Sequence, residues 1–432
     1  MVKNFGFWIL DFGLNRRAWR GSSACARYAR CVFLFTAASI SAVAWTTAFD
    51  SDGAILVDGK RSFIVGSYMA GNKYTVPKPT PELYAELAKA GFNLVQASPA
   101  DMDAAHAAGL MTWTGAGVID PKDAEASAKA LTDRVNAVKD HPSLAFLETS
   151  DEPAWTWMKA EARIGAEAFA KSYPIVKAAD SRHLLYTNHA PTNLVSTLEA
   201  YNAGTDIVAV DIYPVNPGNL KPQYALFEDG LQGDLNNTTL SQVGEYCDKM
   251  RKVAGAGRPV FMVLQAFAWE MLTEEKDRDP AKVLYPTYEQ SRFMAWQSII
   301  RGANGILYWG SYYTPQPSDC WTDITRVTRE IADLRGPLEE RSANVPLEFV
   351  YHELGRSVDA GVQWSAKAHN DALYVFTVNA DKNLCRVTIK GIADRKKCNV
   401  VGEGRELPVV DGSITDDWAP FGVHLYEFPC DC

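Results

Sequence analysis

The chain has 432 residues and a formal net charge of −9. With 47% hydrophobic and 22% charged residues it can bury a sizeable core, and bulk disorder is excluded. The length fits one large domain with a smaller one, and the acidic balance disfavours nucleic acids and anionic membranes as partners.

The N-terminus reads as a targeting segment. Lys3, Arg16, Arg17, Arg20, Arg27 and Arg30 precede an uncharged run, Cys31 to Ala48, and Ala42-Val43-Ala44 offers a small-residue cleavage signal. A cleaved signal peptide over residues 1–48 is expected, with an uncleaved membrane anchor as the alternative. The protein would then be secreted or periplasmic. Residues 1–48 hold 6 of the 43 basic and 1 of the 52 acidic residues, so the remainder carries a net charge of −14. A neutral or cationic substrate suits such a surface. Past the leader region remain Cys247, Cys320, Cys385, Cys398, Cys430 and Cys432. They show no zinc spacing. In an exported protein such an even set is open to disulfide formation, and Cys385 with Cys398 is the best local pairing. Asn236-Asn237-Thr238-Thr239 holds N-glycosylation acceptors that matter only in a eukaryotic secretory host.

From residue 62 onward, short apolar runs alternate with amphipathic stretches. The runs Phe63–Tyr68, Asn93–Ala97, Met111–Gly115, Leu144–Thr149, Leu184–Asn188, Ile207–Ile212, Val260–Gln265 and Ile306–Trp309 are strand candidates. Pro81–Ala90, Ala124–Val138, Lys159–Ala179 and Tyr288–Arg301 carry helical patterns. In the last of these Phe293, Trp296, Ile299 and Ile300 recur at helical spacing, and Gly302 ends the helix. Several strands are apolar throughout, as strands buried on both faces are. Eight strand–helix units predict a (β/α)8 barrel over residues 49–340. A doubly wound open sheet is disfavoured because no Gly-rich phosphate loop follows the first strand. Beyond residue 341 short β-like runs separated by turn residues predict a small antiparallel β-sandwich, residues 341–432.

In such a barrel, chemistry sits where the strands end. The fourth strand runs into Asp151-Glu152-Pro153, and a proline cannot continue the ladder. Two adjacent carboxylates are thereby presented at the barrel mouth. Crowded like charges raise one pKa, which suits a general acid working near neutral pH. Elsewhere an Asp-Glu-Pro is usually an ordinary charged loop; its place at this strand end favours function. Glu148 alternates with Glu152 and is a lesser inward candidate. The fifth strand brings Asn188 and His189, the latter as readily a loop histidine as a substrate contact. The sixth brings Asp211 and Tyr213, the seventh Gln265 and the eighth Trp309. An aromatic face such as Trp309 stacks on the C–H face of a sugar ring, although core packing is its blander role. Trp155, Trp157 and Trp269 are further aromatics placed near the rim. The seven histidines form no metal motif, no nucleophile elbow or phosphate loop is present, and neither metal nor cofactor is expected. Carboxylates, amides and aromatics suit glycosidic bond hydrolysis.

This layout resembles the retaining glycoside hydrolases built on (β/α)8 barrels. Their pattern is an Asn-Glu acid/base at the fourth strand end and a nucleophilic Glu at the seventh. Here those positions hold Asp151-Glu152 and Gln265, and an amide is no nucleophile. The adjacent Asp-Glu pair looks more like the substrate-assisted N-acetyl-hexosaminidases. That resemblance implies Glu152 as catalytic acid/base, Asp151 as the group that orients and stabilises the substrate acetamido, and Tyr213 and Gln265 as its binding partners. It covers about residues 60–335 through element order and a few short motifs. Two other readings stand beside it. One is a retaining enzyme with another nucleophile, Glu270 being the candidate. The other is a catalytically silent barrel that binds oligosaccharide or polysaccharide, favoured by Gln265.

Overall fold

The computed structural model describes residues 44–155, 161–218, 226–227, 230–231, 239–352, 361–392 and 395–430. Eight parallel strands close into a barrel: β1 (Ile64–Ser67), β2 (Leu94–Gln96), β3 (Met111–Gly115), β4 (Leu144–Glu148), β5 (Leu184–His189), β6 (Ile207–Ile212), β7 (Val260–Gln265) and β8 (Gly305–Trp309). Closure is made by β8 against β1, with Gly305 opposite Ile64 and Tyr308 opposite Ser67. Each strand lies within a residue or two of the run that predicted it. The sequence pattern is legible because both faces are buried. One face of each strand fills the lumen; the other meets the surrounding helices.

The lumen is packed solid. Ile64, Leu94, Met111, Phe146, Leu184, Ile207, Phe261 and Leu307 form one buried cluster. The Phe261 ring meets Phe146 at 6.0 Å and Tyr186 at 6.1 Å, edge-on to the first. Gly305 is required beneath it, since a Cβ there would come within 2.8 Å of that ring. The outward residues Val65, Val95, Leu147, Val208, Val210, Met262 and Ile306 pack in the helix layer instead.

A short antiparallel ribbon, Thr47–Phe49, Ile55–Val57 and Lys60–Arg61, packs against the lumen cluster. Thr47 Oγ1 donates to the Ala145 carbonyl and accepts from Leu184 N, and Ile55 joins the lumen cluster. Residues 44–48, assigned above to the leader, are therefore part of this fold. Residues 1–43, with most of the proposed leader, lie outside the described residues, as do Trp157 and Asn236–Thr238.

The helix Tyr288–Ile300 is capped by Thr287, which exchanges hydrogen bonds with Gln290. It is buried over most of its length, Ser291, Gln297 and Ser298 included, because it is covered twice. One side meets the barrel; the other meets the C-terminal sheets, where Trp296 packs on Phe376 at 5.1 Å and Phe293 on Phe421 at 5.3 Å. Trp296 Nε1 and Arg292 Nε both donate to Glu330 Oε1, which satisfies the polar groups buried with them. Among the described residues the C-terminal part has eight antiparallel strands, β9 (Glu348–Tyr351), β10 (Val362–His369), β11 (Ala372–Asn379), β12 (Cys385–Lys390), β13 (Lys397–Val400), β14 (Arg405–Pro408), β15 (Ser413–Trp418) and β16 (Val423–Phe428). They form a three-stranded sheet, β9-β12-β15, and a five-stranded sheet, β10-β11-β16-β13-β14. A shared core lies between them, including Val387, Ile389, Cys398, Trp418 and Tyr426. Cys385 and Cys398 lie in that core as free thiols, not as the disulfide suggested by their spacing. Cys385 Sγ donates to Asn379 Oδ1 and Cys398 Sγ to the Asn399 carbonyl.

Phe261 carries the packing of the lumen. Phe261→Ala is expected to lower unfolding free energy by about 3–5 kcal/mol, read as a reduced urea midpoint. A midpoint unchanged from wild type would show that the lumen is not the stabilising core.

Candidate active site

Four carboxylates gather where β4 and β6 end. β4 stops at Glu148, five residues before the proline expected to stop it. The chain beyond is still tied to β5: Thr149 N donates to the Tyr186 carbonyl, and Glu152 N donates to the Asn188 carbonyl. Glu152 then takes a left-handed backbone, with φ +43. A residue before proline is steered away from the right-handed helical region, and a non-glycine in the left-handed region is a strain that collects at functional sites. The Trp155 amide closes this turn by donating to the Glu152 carbonyl.

Glu148 faces the lumen and is buried. Its Oε2 accepts from Gln96 Nε2 at 3.1 Å and from Trp113 Nε1 at 3.2 Å. Asp151 Oδ1 accepts from Asn188 Nδ2 at 3.0 Å, and the same nitrogen donates to Asp211 Oδ1 at 3.2 Å. One amide on β5 thus bridges a carboxylate from β4 to one from β6. Their two oxygens are no farther apart than those two bonds laid end to end. Arg163 approaches from the rim, 3.5 Å from Glu152 Oε2.

The electrostatics have a centre. Burial raises the Glu148 carboxyl to about 7, and the Asp151 charge adds to it. Burial and then Asp151 raise Glu152 to about 7 as well, against a lowering by Arg163. Asp211 is driven up by burial, Glu152 and Asp151. Asp151 itself is raised by burial, but the Asn188 amide and Arg163 hold it down. Burial is the largest cause for all four carboxyls; the Asp151 charge adds to it for Glu148, Glu152 and Asp211. Nearby phenols remain protonated for the same reasons. Tyr68 and Tyr186 share a hydrogen bond of 2.6 Å, and both are pushed well up by burial.

An aromatic wall rises on the β6–β8 side. Tyr213 stacks on Trp309 at 5.5 Å, with Phe267 edge-on to both. Trp269 Nε1 donates to the Tyr213 carbonyl. Trp309 is only partly buried.

Four expectations are corrected. Gln265 is fully buried, and its amide is committed to backbone. Nε2 donates to the Val215 and Phe267 carbonyls at 2.7 and 2.9 Å, and Oε1 accepts from Val215 N. It fastens the loop after β6 and has no N–H left for a ligand. Trp155 is buried against Ala190 and is no rim platform. Glu270 Oε1 accepts from Asp279 N at 2.7 Å, within its own loop, and Glu270 is absent from the charges acting on the cluster. His189 points into the helix layer edge-on to Tyr201, and burial lowers it to about 3. It is a neutral core residue. Glu148, ranked low from sequence, lies at the heart of the cluster. Its signal was there: an acidic residue ending an otherwise apolar run, on the lumen face. Among the described residues no group of three or more His, Cys, Asp or Glu is arranged to hold a metal ion.

No protein-family model matches the sequence, and no curated protein matches it. Solved structures do. A β-L-arabinopyranosidase from Geobacillus stearothermophilus, in complex with arabinose, superposes with a TM-score of 0.55 at 13% identity over 86% of this chain and 98% of the other. An α-amylase from Geobacillus thermoleovorans, complexed with acarbose, gives 0.54 at 9% identity over 86% and 100%. AmyP in complex with maltose gives 0.52 at 10% identity over 85% and 97%. At such identities the likeness concerns the fold, a (β/α)8 barrel followed by antiparallel sheets.

The raised carboxyls give a signed dependence on pH. A carboxyl whose folded pKa lies above its unfolded value adds stability below the unfolded pKa, and loses it as pH rises through the folded one. For Glu148 and Glu152 that window runs from 4.5 to about 7. The melting temperature is expected to be higher at the acid end of this window than just above it. Glu148→Gln, whose amide oxygen still accepts from Gln96 and Trp113, should narrow the difference. An equal pH dependence in that variant would remove Glu148 as its source.

Proposed function

We propose that the protein is a glycoside hydrolase, with Glu152 as general acid/base and Asp151 as the anion that stabilises positive charge at the anomeric carbon. The carrying observation is the split within the cluster. The rise of one carboxyl is opposed by an amide hydrogen bond, while its neighbour, without that bond, is raised to about 7 beside it. Cleaving an acetal needs this pair: a proton for the leaving oxygen and a negative charge facing an oxocarbenium-like transition state. The partly exposed Trp309 and Tyr213 offer apolar faces to a sugar ring. The sugar-bound state of the structural neighbours named above agrees with a carbohydrate ligand.

In the finer reading Asp151 orients a 2-acetamido group, whose oxygen attacks the anomeric carbon, and Glu152 protonates the departing oxygen. That reading is supported by the adjacency of the two acids and by the diversion of Gln265 and Glu270 from the cleft. A second reading has Asp151 attack directly. It draws on the Asn188 amide, which donates to Asp151 Oδ1 and orients that carboxylate at the barrel mouth.

A panel of nitrophenyl glycosides with and without the 2-acetamido group separates these readings. Substrate assistance predicts turnover confined to acetamido sugars; direct attack predicts turnover without them. Turnover of none would remove the hydrolase reading. Glu152→Gln is expected to lower kcat/KM by about 10²–10⁴-fold on poor leaving groups. It should lose far less on dinitrophenyl glycosides, which need no proton. The wild-type rate should fall as pH rises through about 7, where Glu152 gives up its proton. That limb should be absent from Glu152→Gln; its persistence would assign the acid elsewhere.

A further inference from the structure

The carboxylates and the aromatic wall occupy the β4–β8 side of the barrel mouth. On the β1–β3 side the loops leave a trough of about 490 Å³, lined by Met69, Pro77, Pro79, Gln96, Gly115 and Tyr312 among others. This volume lies in the range of small-molecule sites. The trough adjoins the acid cluster through one residue: Gln96 lines it while Gln96 Nε2 donates to Glu148 Oε2. Its shape is held by the fold. Asn72 Nδ2 donates to the Ser311 and Thr314 carbonyls, and Lys73 N donates to the Tyr312 carbonyl. The loop after β1 is thereby fastened to the loop after β8. Met69 sits between them with a left-handed backbone, φ +69, and its side chain is 37% exposed. A bulky residue kept in that conformation with an apolar side chain in water has no packing reason to be there.

We propose that this trough is a subsite for a second sugar ring, joined on the non-reducing side to the ring held at the carboxylates. The inference rests on the glycosidase reading. Met69, Pro77, Pro79 and Tyr312 present apolar surface to the C–H face of a pyranose. Gln96 Oε1 accepts no hydrogen bond from the described residues, which leaves an acceptor for a sugar hydroxyl at the inner end. Direction follows from the acid. Beyond Glu148 the chain is tied to β5, where Glu152 N donates to the Asn188 carbonyl, so the proton donor and the leaving group are placed on that side. The trough lies on the opposite side of β4 and takes the glycone. The substrate class is accordingly a chain of at least two sugars, not a monoglycoside.

Gly115 offers a clean block. It lies in strand β3 with an ordinary backbone, it lines the trough, and a Cβ built there meets no atom within 4 Å. Nitrophenyl N-acetylglucosaminide and chitobioside, β-glucoside and cellobioside, and α-glucoside and maltoside are compared in pairs. Each is assayed for turnover, and for binding to Glu152→Gln by calorimetry. In at least one pair the disaccharide is expected to exceed the monosaccharide by about tenfold or more in kcat/KM or affinity. Gly115→Phe should erase that ratio. Tyr312→Ala, which only removes surface, should reduce it and serves if Gly115→Phe does not fold. A ratio near one in every pair, or a ratio untouched by both substitutions, overturns the subsite. Monosaccharide turnover with no disaccharide advantage sinks the subsite and leaves the hydrolase. Disaccharide binding sensitive to Gly115→Phe, without turnover in wild type, keeps the subsite and sinks the hydrolase.

Discussion

The amide of Asn188 holds the site together. It projects from β5 between two strands that each bring an acid, and it donates to both Asp151 and Asp211. Without it, two partly desolvated carboxylates would face each other across the barrel mouth with nothing between them, an arrangement that like-charge repulsion and desolvation both oppose. With it, one acid is steadied as an anion. Its charge then adds to burial in raising Glu148, Glu152 and Asp211. The division of labour among chemically similar groups follows from how deeply each is buried and from the acids placed beside it.

The same logic explains why the barrel was easy to read and the site only partly so. A strand buried on both faces shows itself as a continuous apolar run, and β3, β6 and β7 occupy the residues expected of them. Strand ends are equally visible, so Asp151, Glu152, Asn188, Asp211, Tyr213 and Trp309 were all locatable near the mouth. What periodicity does not reveal is the partner of a side chain. Gln265 and Asn188 are both amides at strand ends; one fastens its own loop and the other bridges two acids. Trp155 and Trp309 are both aromatics near a strand end; a tight turn after Glu152 folds the first inward. The backbone bond from Ile164 N to the Pro153 carbonyl and the closure after β1 are non-local pairings, and no local pattern encodes them. Glu148 was underweighted because a strand acid next to a more obvious Asp-Glu pair looks redundant until Gln96 and Trp113 are seen donating to it.

The mouth is also asymmetric, and the asymmetry has a physical source. Loops after β6 and β7 are fastened to one another by Gln265 and by Trp269, and Thr314 in the loop after β8 donates to the Ala266 carbonyl, so Tyr213, Phe267 and Trp309 stand as one wall. The loop after β1 is fastened instead across the seam to the loop after β8, which leaves space above β2 and β3. A wall on one flank and a trough on the other define a direction for an extended ligand, with the acids at the point where the two meet.

The cluster further implies a conflict between stability and activity. Glu148 and Glu152 are kept in surroundings that oppose their ionisation, and Glu152 adds a left-handed backbone without being glycine. Folding gains nothing from either feature above neutral pH; both are costs met by the packed lumen beneath them. Chemistry requires them nonetheless, because an acid that gave up its proton at an ordinary carboxyl pKa would arrive at a neutral-pH reaction already spent. Amide substitutions at these two positions should therefore leave a protein that is more stable above neutral pH, and loss of function at Glu152 would come from a missing proton and not from a damaged fold. If instead such variants unfold more readily above neutral pH, the acids are structural members of the barrel mouth, and the argument for a proton donor there loses its basis.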